Sequence, residues 1–315
     1  MKGYEIYMNK VTSNSNKQSI LSRRPVMIIV TLFVCFLWGS AFSAVVASYR
    51  LLNVYVNDVF QVMLFAGMRF FLSACLIFAY AFVTGKSMKL DWHGFKLVAM
   101  LGLLQTFAQY LFFFLSLRTV HPANGSILIS FGVFITVIIA SVIYKTDKLT
   151  PKKIWGLVIG ITGIIILNDP TSATFSLTGE GFMFISSFLA AIAAIYTKKL
   201  TMTFSPYAIA GYQLLFGSTL LIGIGLAFSS NVAFTFTPAS TILLLHLGFI
   251  SAAAFTLWSA LLKHNPVSKV SIYKFSIPVF GVFLSFIFLQ EAFDLVNVMT
   301  AMVFVAVGIL LINME

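Results

Sequence analysis

The stretch VMIIVTLFVCFLWGSAFSAVVASY, residues 26–49, runs for 24 residues without a charged side chain, and Arg24 and Arg50 flank it. A helix of about 20 apolar residues crosses the hydrocarbon core of a bilayer at about 1.5 Å per residue. Similar runs recur along the chain, and with the first they make ten: 26–49, 60–83, 94–117, 123–144, 152–167, 179–197, 207–228, 239–262, 267–289 and 296–313. The sequence therefore predicts an all-α membrane protein with ten transmembrane helices.

The composition of the whole chain agrees with a lipid environment. Of 315 residues, 60% are hydrophobic and 9% are charged, and the mean hydropathy is +0.99. Soluble domains are about 45–50% apolar and about 25% charged, so a soluble fold of this length would not bury so much apolar surface. The composition excludes a soluble enzyme. The two cysteines, Cys35 and Cys75, have no metal-binding or disulfide spacing, and we expect no cofactor or metal.

The distribution of cations predicts the orientation in the membrane. With the N-terminus in the cytoplasm, 16 of the 20 Lys and Arg residues fall on the inner side, and the outer loops hold Arg50 and Arg118. This is the positive-inside bias of membrane proteins. The net charge of +11 then reflects insertion and anionic lipid headgroups, and no nucleic-acid partner is expected. We predict a bacterial cytoplasmic membrane protein with both termini in the cytoplasm and a disordered tail over residues 1–25.

Residues 26–168 and 179–313 repeat one another. At a shift of 144 residues Arg69 aligns with Gln213, and at a shift of 145 Gly163 aligns with Gly308. Each half holds five predicted spans, and an odd number makes the second half insert in the opposite direction. The lysines around residue 147 have no cationic counterparts in the second half. Two inverted five-helix repeats are therefore predicted, an architecture in which secondary transporters bind substrate at the repeat interface near the midplane.

Several segments resemble the drug/metabolite transporter superfamily, in its EamA-type branch. They are FLWGS at 36–40, MRF at 68–70, and the stretch 278–291 with Gly308 following. The first half departs from the family pattern, since Phe134 stands where a Pro matching Pro278 is frequent, and Asp147 stands where Glu is frequent. The resemblance implies two EamA-like halves and alternating-access transport of small solutes such as amino acids, other metabolites or drugs, often outward.

Two cations lie inside predicted spans, Arg69 in the second and Lys274 in the ninth. An ionised side chain there costs about 2.5–3.5 kcal/mol on insertion scales and usually faces the bundle interior. No Asp or Glu lies well inside any predicted span. We therefore predict a cationic cavity that receives a carboxylate or other anion, with Arg69 as a bidentate partner and Lys274 as a point charge. The alternative is that Arg69 bonds helix carbonyls, or that either side chain reaches the headgroups.

Polar and aromatic side chains extend the predicted substrate site. The further predicted substrate-binding residues are Gln105, Gln109, Tyr110, Gln213, Trp38, Trp258, Tyr273 and His246. Aromatic rings offer stacking and cation–π contacts, and His246 could relay protons. Alternatively, glutamines bridge helices, Trp and Tyr residues pack in the core or at the membrane interface, and His246 packs between helices.

Glycine spacing in the fifth predicted span indicates close helix packing. Gly156 and Gly160 form GxxxG, and Gly163 follows. Small residues at this spacing let two helix backbones approach. We predict that this face packs against the tenth span at Gly308 and Ala301.

The leading functional prediction is a secondary transporter, embedded in the lipid bilayer, that moves a small metabolite across the cytoplasmic membrane. An amino acid or organic anion is the favoured solute, and export is the favoured direction. We expect the protein to be a monomer or a homodimer. The chain has no P-loop, HExxH or GxGxxG motif, so no catalytic residue is predicted. The alternatives are a membrane-embedded enzyme, a flippase for a lipid-linked substrate, or a non-transporting membrane sensor.

Overall fold

The computed structural model of this chain describes residues 19–119, 122–143, 148–168, 176–290 and 294–313. Within these ranges the chain is helical and contains no β-strand. In chain order the helices are α1 (Arg24–Leu52), α2 (Val59–Thr84), α3 (Trp92–Ser116), α4 (Pro122–Ile143), α5 (Pro151–Asn168), α6 (Leu177–Thr201), α7 (Pro206–Phe228), α8 (Pro238–His264), α9 (Val267–Leu289) and α10 (Leu295–Asn313). Each helix coincides with one of the apolar runs.

Eight helices in the described part of the chain are long and apolar enough to cross a membrane: α1 to α3 and α6 to α10. Within α4, Leu128–Ile143 forms a shorter apolar helix. The all-helical membrane fold predicted from the sequence is thus confirmed, while the count of ten spans stays a prediction.

Most helices begin or end at a residue whose chemistry accounts for the boundary. Asp58 accepts hydrogen bonds from the first backbone N–H groups of α2, and Asp91 accepts one from Gly94 at the start of α3. Thr237 and Ser240 form a capping box at the start of α8. These side chains satisfy N–H groups that have no partner within the helix. Gly85, with φ +65°, ends α2 in the left-handed conformation that glycine adopts most easily.

Two helices contain an irregular turn at a predicted site residue. A π-helical segment, Gly102–Ala108, interrupts α3 around Gln105. A 3₁₀ turn, Ile272–Phe275, interrupts α9 and contains Tyr273 and Lys274. Such turns break the regular hydrogen-bond ladder, and π-helical turns in particular occur often at functional sites.

The two halves pack against each other in corresponding pairs. Helix α2 packs on α7 and α5 packs on α10, so each of these helices meets its own repeat counterpart. The packing of α1 on α9 is matched by that of α6 on α4, and the packing of α1 on α8 by that of α6 on α3. Exchanging each of these helices for its counterpart in the other half therefore preserves these pairs.

Individual close approaches follow the same correspondence. A Cβ atom added to Gly102 would lie 3.1 Å from the Cβ of Phe216, and one added to Gly248 would lie 3.5 Å from the Cβ of Leu72. These two approaches correspond in the repeat, because Gly102 aligns with Gly248 at a shift of 146 residues and Leu72 aligns with Phe216 at a shift of 144. Because glycine allows α3 to approach α7 and α8 to approach α2, the halves meet through equivalent surfaces.

The N-terminal approach to α1 is tied to the second half. A short 3₁₀ turn, Ile20–Ser22, precedes α1, and the Leu21 carbonyl accepts a hydrogen bond of 3.0 Å from the Asn265 side chain. Residues 1–18, most of the predicted disordered tail, lie outside the described residues, as do Lys145 and Asp147.

Candidate functional site

The Lys274 ammonium lies beside two indole rings that also contact each other. Its Nζ is 4.3 Å from the ring centre of Trp258 on α8 and 5.5 Å from that of Trp38 on α1. The two indoles are 5.3 Å apart. Cation–π attraction of this kind is worth about 0.5–2 kcal/mol and is strongest when the cation is desolvated. The 3₁₀ turn of α9 therefore directs Lys274 toward α1 and α8.

Polar atoms near this cation include two without a partner. The Trp258 Nε1 atom and the Ser271 Oγ atom, one turn before Lys274, are buried and have no hydrogen-bond partner among the described residues. Nearby, the Tyr273 carbonyl accepts hydrogen bonds from Cys35 at 3.2 Å and from Ser276 at 2.6 Å. Because a buried donor without a partner costs about 1–3 kcal/mol, such atoms are expected where a ligand is bound.

The second interior cation, Arg69 on α2, also lies against aromatic rings. Its Cζ atom is 4.3 Å from the ring centre of Phe70. The Tyr110 side chain of α3 and the Tyr49 side chain of α1 are both near the guanidinium. The Nε atom is buried without a partner in the described part of the chain. Arg69 thus lies among side chains of α1, α2 and α3 and keeps a donor without a partner among the described residues.

A chain of aromatic contacts joins the two cations. Phe70 and Phe255 are 6.2 Å apart, with their planes nearly perpendicular. Phe255 is 5.9 Å from Trp38, which in turn contacts Trp258. Tyr110 packs on the other side of Phe70 at 4.7 Å. We call this series of contacting side chains, Arg69, Phe70, Tyr110, Phe255, Trp38, Trp258 and Lys274, the aromatic path.

Two members of the aromatic path and one neighbour were not predicted as site residues. Phe70 belongs to the MRF segment, but Phe255 is one of 34 phenylalanines and nothing in its local sequence distinguishes it. Tyr49 closes the first apolar run, where a tyrosine is typical of the membrane interface. Phe255 and Tyr49 are recognisable only from the residues that they contact.

The predicted glutamines lie at the junction of α3, α6 and α7. Gln105 is 7% exposed, and its side-chain oxygen accepts a hydrogen bond of 3.5 Å from Thr197. Gln213 is also buried, and its Oε1 has no partner among the described residues. The Gln109 backbone carbonyl accepts a hydrogen bond from Ser186. Gln105 therefore bridges two helices, which is the structural alternative weighed for it.

The remaining predicted residues occupy different surroundings. Tyr273 is 1% exposed and packs in the core beside Lys274. His246 is exposed and shares the outer face of α8 with Ile242 and Phe249, on the opposite side of the helix from Phe255. The structure thus brings together Arg69, Tyr110, Trp38, Trp258, Tyr273 and Lys274, while it places His246 apart from them.

The interior cations have no carboxylate near them in the described part of the chain. The four carboxylates there all lie at or next to helix starts: Asp58, Asp91, Glu180 and Asp294. No group of three or more metal-binding side chains occurs among the described residues. Two cations, donors without a partner and neighbouring aromatic rings are the groups that can bind an anionic group together with an apolar or aromatic body.

These features define an integral membrane protein built as a bundle of apolar helices, with two cations packed against aromatic side chains in its interior. A family model described as the EamA-like transporter family matches residues 25–169 and again residues 177–314. The chain belongs to the EamA-like transporter family and carries its domain twice. This confirms the family resemblance and the repeat predicted from the sequence.

Relatives with names of the same kind cover nearly the whole chain. A protein of Archaeoglobus fulgidus named "Uncharacterized transporter" is 26% identical over 270 residues, which is 85% of this chain and 91% of the relative. The "Uncharacterized transporter YoaV" of Bacillus subtilis is 23% identical over 88% of this chain and 92% of its own length. These names support a transporter and argue against an enzyme.

A solved crystal structure has the same fold. It superposes with a TM-score of 0.76 at 16% sequence identity, covering 90% of this chain and 95% of the other. At this identity the likeness establishes the fold alone.

Proposed function

We propose that this protein is a secondary transporter that moves a small organic anion, such as an amino acid held by its carboxylate, across the bacterial cytoplasmic membrane. The observation that carries this proposal is the aromatic path, which joins Arg69 to Lys274 without a carboxylate among the described residues nearby. An anionic solute would supply the missing negative charge. Its apolar or aromatic part would lie against Phe70, Phe255 and the two indoles.

The proposed mechanism is alternating access between two inverted repeats, each with five of ten spans. The equivalent packing of the two halves supports a two-fold relationship between them. With an odd number of spans in each half, this axis lies in the plane of the membrane. The aromatic path contains α1 and α2 of the first half and α8 and α9 of the second, so a rocking motion between the halves would change its access.

The charge distribution supports the proposed orientation in the membrane, and the family resemblance supports the proposed direction of transport. The excess of Lys and Arg in alternate loops supports a cytoplasmic N-terminus and C-terminus. Export is the direction that the family resemblance favours. The chain has no nucleotide-binding motif, so we propose that the energy comes from a gradient or from the solute itself.

Counterflow in liposomes tests this function. Purified protein in liposomes would be screened with labelled phenylalanine, glutamate and phenylpyruvate, which share a carboxylate and differ in their aromatic and charged groups. We expect saturable counterflow of at least one probe. Arg69→Gln and Lys274→Gln should each lower its rate at least tenfold, because each removes one cation from the aromatic path.

The control variant is Lys199→Gln. Lys199 is an exposed cation at the end of α6, so its replacement should leave counterflow unchanged. The amount of folded protein in each variant is measured by size-exclusion chromatography before reconstitution, which separates loss of binding from loss of protein. Full transport by both Arg69→Gln and Lys274→Gln would contradict the proposed site, and the absence of counterflow for every probe would contradict the proposed solute class.

A further inference from the structure

A cavity of about 500 Å³ opens where the end of α1 meets the loop between α7 and α8. Its lining residues are Tyr49, Arg50, Asn53, Val54, Tyr55, Asn231, Ala233, Phe234 and Thr235. In the proposed orientation these segments lie on the outer side of the membrane. The cavity is therefore a vestibule above the helices that carry the aromatic path.

The vestibule is cationic. Arg50 is exposed and is the charged residue among its lining residues. The nearest carboxylate in sequence, Asp58, is already bound elsewhere, since its Oδ2 atom accepts hydrogen bonds from the Ser229 hydroxyl at 3.0 Å and from the Ser230 amide at 2.8 Å. Its Oδ1 atom accepts from the first amides of α2. Arg50 is thus a lining cation of the cavity, and the hydrogen bonds of Asp58 go to other groups.

Hydrogen bonds between the two loops hold the walls of the vestibule together. The Thr235 amide donates to the Leu52 carbonyl at 3.1 Å, and the Asn53 side chain donates to the Thr235 hydroxyl at 3.0 Å. The Gln61 side chain donates to the Ala233 carbonyl at 3.2 Å. These bonds join the first half to the second, so the vestibule exists as a formed cavity between the repeats.

Tyr49 connects the vestibule with the interior. It lines the cavity beside Arg50, and it also lies beside the Arg69 guanidinium on the aromatic path. Its ring packs against Phe65 of α2 at 5.3 Å. Tyr49 is therefore near both the cation at the mouth of the cavity and the cation inside the protein.

We propose that the vestibule is a second, outer binding site for the organic anion, in which Arg50 binds the carboxylate at the outer side of the protein while Arg69 binds it in the interior. This inference rests on the proposed function and adds a site outside the aromatic path. An exposed guanidinium raises the local concentration of anions, and this attraction weakens as salt increases. Arg50 therefore affects the binding of solute at the outer side, while the interior cations affect its passage.

A sided transport assay tests the role of Arg50. Labelled phenylpyruvate, phenylalanine or glutamate is supplied on the side of the loop at residues 53–58, in vesicles of phosphatidylcholine alone and in vesicles that also contain anionic lipid. Arg50→Gln should raise KM three- to tenfold at low salt in both kinds of vesicle and leave the maximal rate unchanged. Arg50→Lys should restore most of the affinity, and added salt should raise the KM of the unchanged protein more than that of Arg50→Gln.

The matched control is Arg118→Gln. Arg118 is an exposed arginine on the proposed outer side, after α3, and it does not line the vestibule. Its replacement should leave KM and its salt dependence unchanged. An equal effect of Arg50→Gln and Arg118→Gln would show general surface attraction and overturn the site. An effect of Arg50→Gln that is confined to anionic vesicles would assign Arg50 to lipid headgroups and overturn it as well.

Equilibrium dialysis separates this inference from the proposed function. In Lys274→Gln protein, whose interior site is impaired, labelled phenylpyruvate should still bind weakly and saturably. Adding Arg50→Gln should lower this residual binding at least fivefold, whereas adding Arg118→Gln should not. If the residual binding of phenylpyruvate to Lys274→Gln protein is the same with and without Arg50→Gln, the vestibule site alone is overturned. Absence of counterflow by the unchanged protein would instead overturn the proposed function.

Discussion

Gly156 of α5 and Gly308 of α10 lie in reciprocal contact. A Cβ atom added to Gly156 would lie 2.7 Å from the Gly308 carbonyl oxygen, and one added to Gly308 would lie 2.6 Å from the Gly156 carbonyl oxygen. The repeat-related approach is also present, because a Cβ on Gly163 would lie 3.1 Å from the Ala301 carbonyl oxygen. The last helix of each half is thus packed backbone to backbone on the other, as the glycine spacing predicted.

Gly156→Ala should destabilise the protein. The added methyl group has no space, so the two helices must separate, and overpacking of this kind costs about 1–3 kcal/mol. The measurement is the midpoint of unfolding of the purified protein in a titration of denaturing detergent, which should fall for this variant.

The matched control is Gly223→Ala in α7, where an added Cβ meets no atom within 4 Å. Alanine has the higher helix propensity, so this variant should be as stable as the unchanged protein or slightly more so. Equal stability of Gly156→Ala and Gly223→Ala would show that the α5–α10 interface can relax at no cost.

Replacing Trp258 should weaken solute binding in two steps. Trp258→Phe keeps a ring beside Lys274 but removes the buried Nε1 donor, whereas Trp258→Leu removes the ring as well. We expect KM to rise about threefold for Trp258→Phe and about tenfold for Trp258→Leu in counterflow, consistent with a cation–π contribution of about 0.5–2 kcal/mol. The same KM for both variants and the unchanged protein would place Trp258 in a purely structural role.

His246→Ala should leave transport unaltered. Because His246 lies on the exposed face of α8 with Ile242 and Phe249, it is remote from the aromatic path and has no role in moving protons along it. Initial rates measured between pH 5.5 and 8 should follow the same profile in the variant and the unchanged protein. Loss of a pH-dependent phase in His246→Ala would restore the proton-relay interpretation.

Asp58 should hold the outer loops together down to low pH. Burial alone would raise its pKa, but hydrogen bonds from Ser230, Gln61 and Ser229 outweigh burial and lower the pKa from 3.8 to about 2. Because the pKa is lower in the folded protein, its stabilising effect is complete above pH 3.8 and is lost as the pH falls toward 2. We expect equal protection of the amides of residues 229–235 at pH 7 and pH 5, after correction for intrinsic exchange rates.

The corresponding variant is Asp58→Asn, measured by hydrogen exchange at pH 7. An amide oxygen is a weaker acceptor than a carboxylate and cannot serve the same donors with both of its atoms. Exchange at residues 229–235 should become several times faster, while α5 and α10 remain unchanged. A marked loss of protection in the unchanged protein between pH 7 and pH 5 would contradict the lowered pKa.

The sequence identified the helices well because hydropathy and boundary residues are local properties. Pro206 and Pro238 begin helices and Gly85 ends one, at the breaks expected from the sequence. The irregular turns at Gln105 and Lys274 were not predicted. They depend on how α3 and α9 pack against other helices, and no local pattern marks them.

The candidate site was predicted less completely. The burial cost of a charge marked Arg69 and Lys274 correctly as interior cations, because that cost depends only on their place within an apolar run. The same reasoning included His246, which lies on the outer face, since polarity alone does not tell which way a helix is turned. Phe255 was missed because it differs from other phenylalanines only in what it contacts.

The sequence by itself determined that this chain is a helical membrane protein, that its two halves repeat, and that it belongs with EamA-like transporters. These conclusions follow from runs and spacings that can be counted along one dimension. The tertiary structure alone decided that Trp38 and Trp258, 220 residues apart in the chain, both contact Lys274, and that Tyr49 lines the vestibule and is also near Arg69. The rotation of each helix about its axis, which sets these contacts, depends on its packing against all its neighbours.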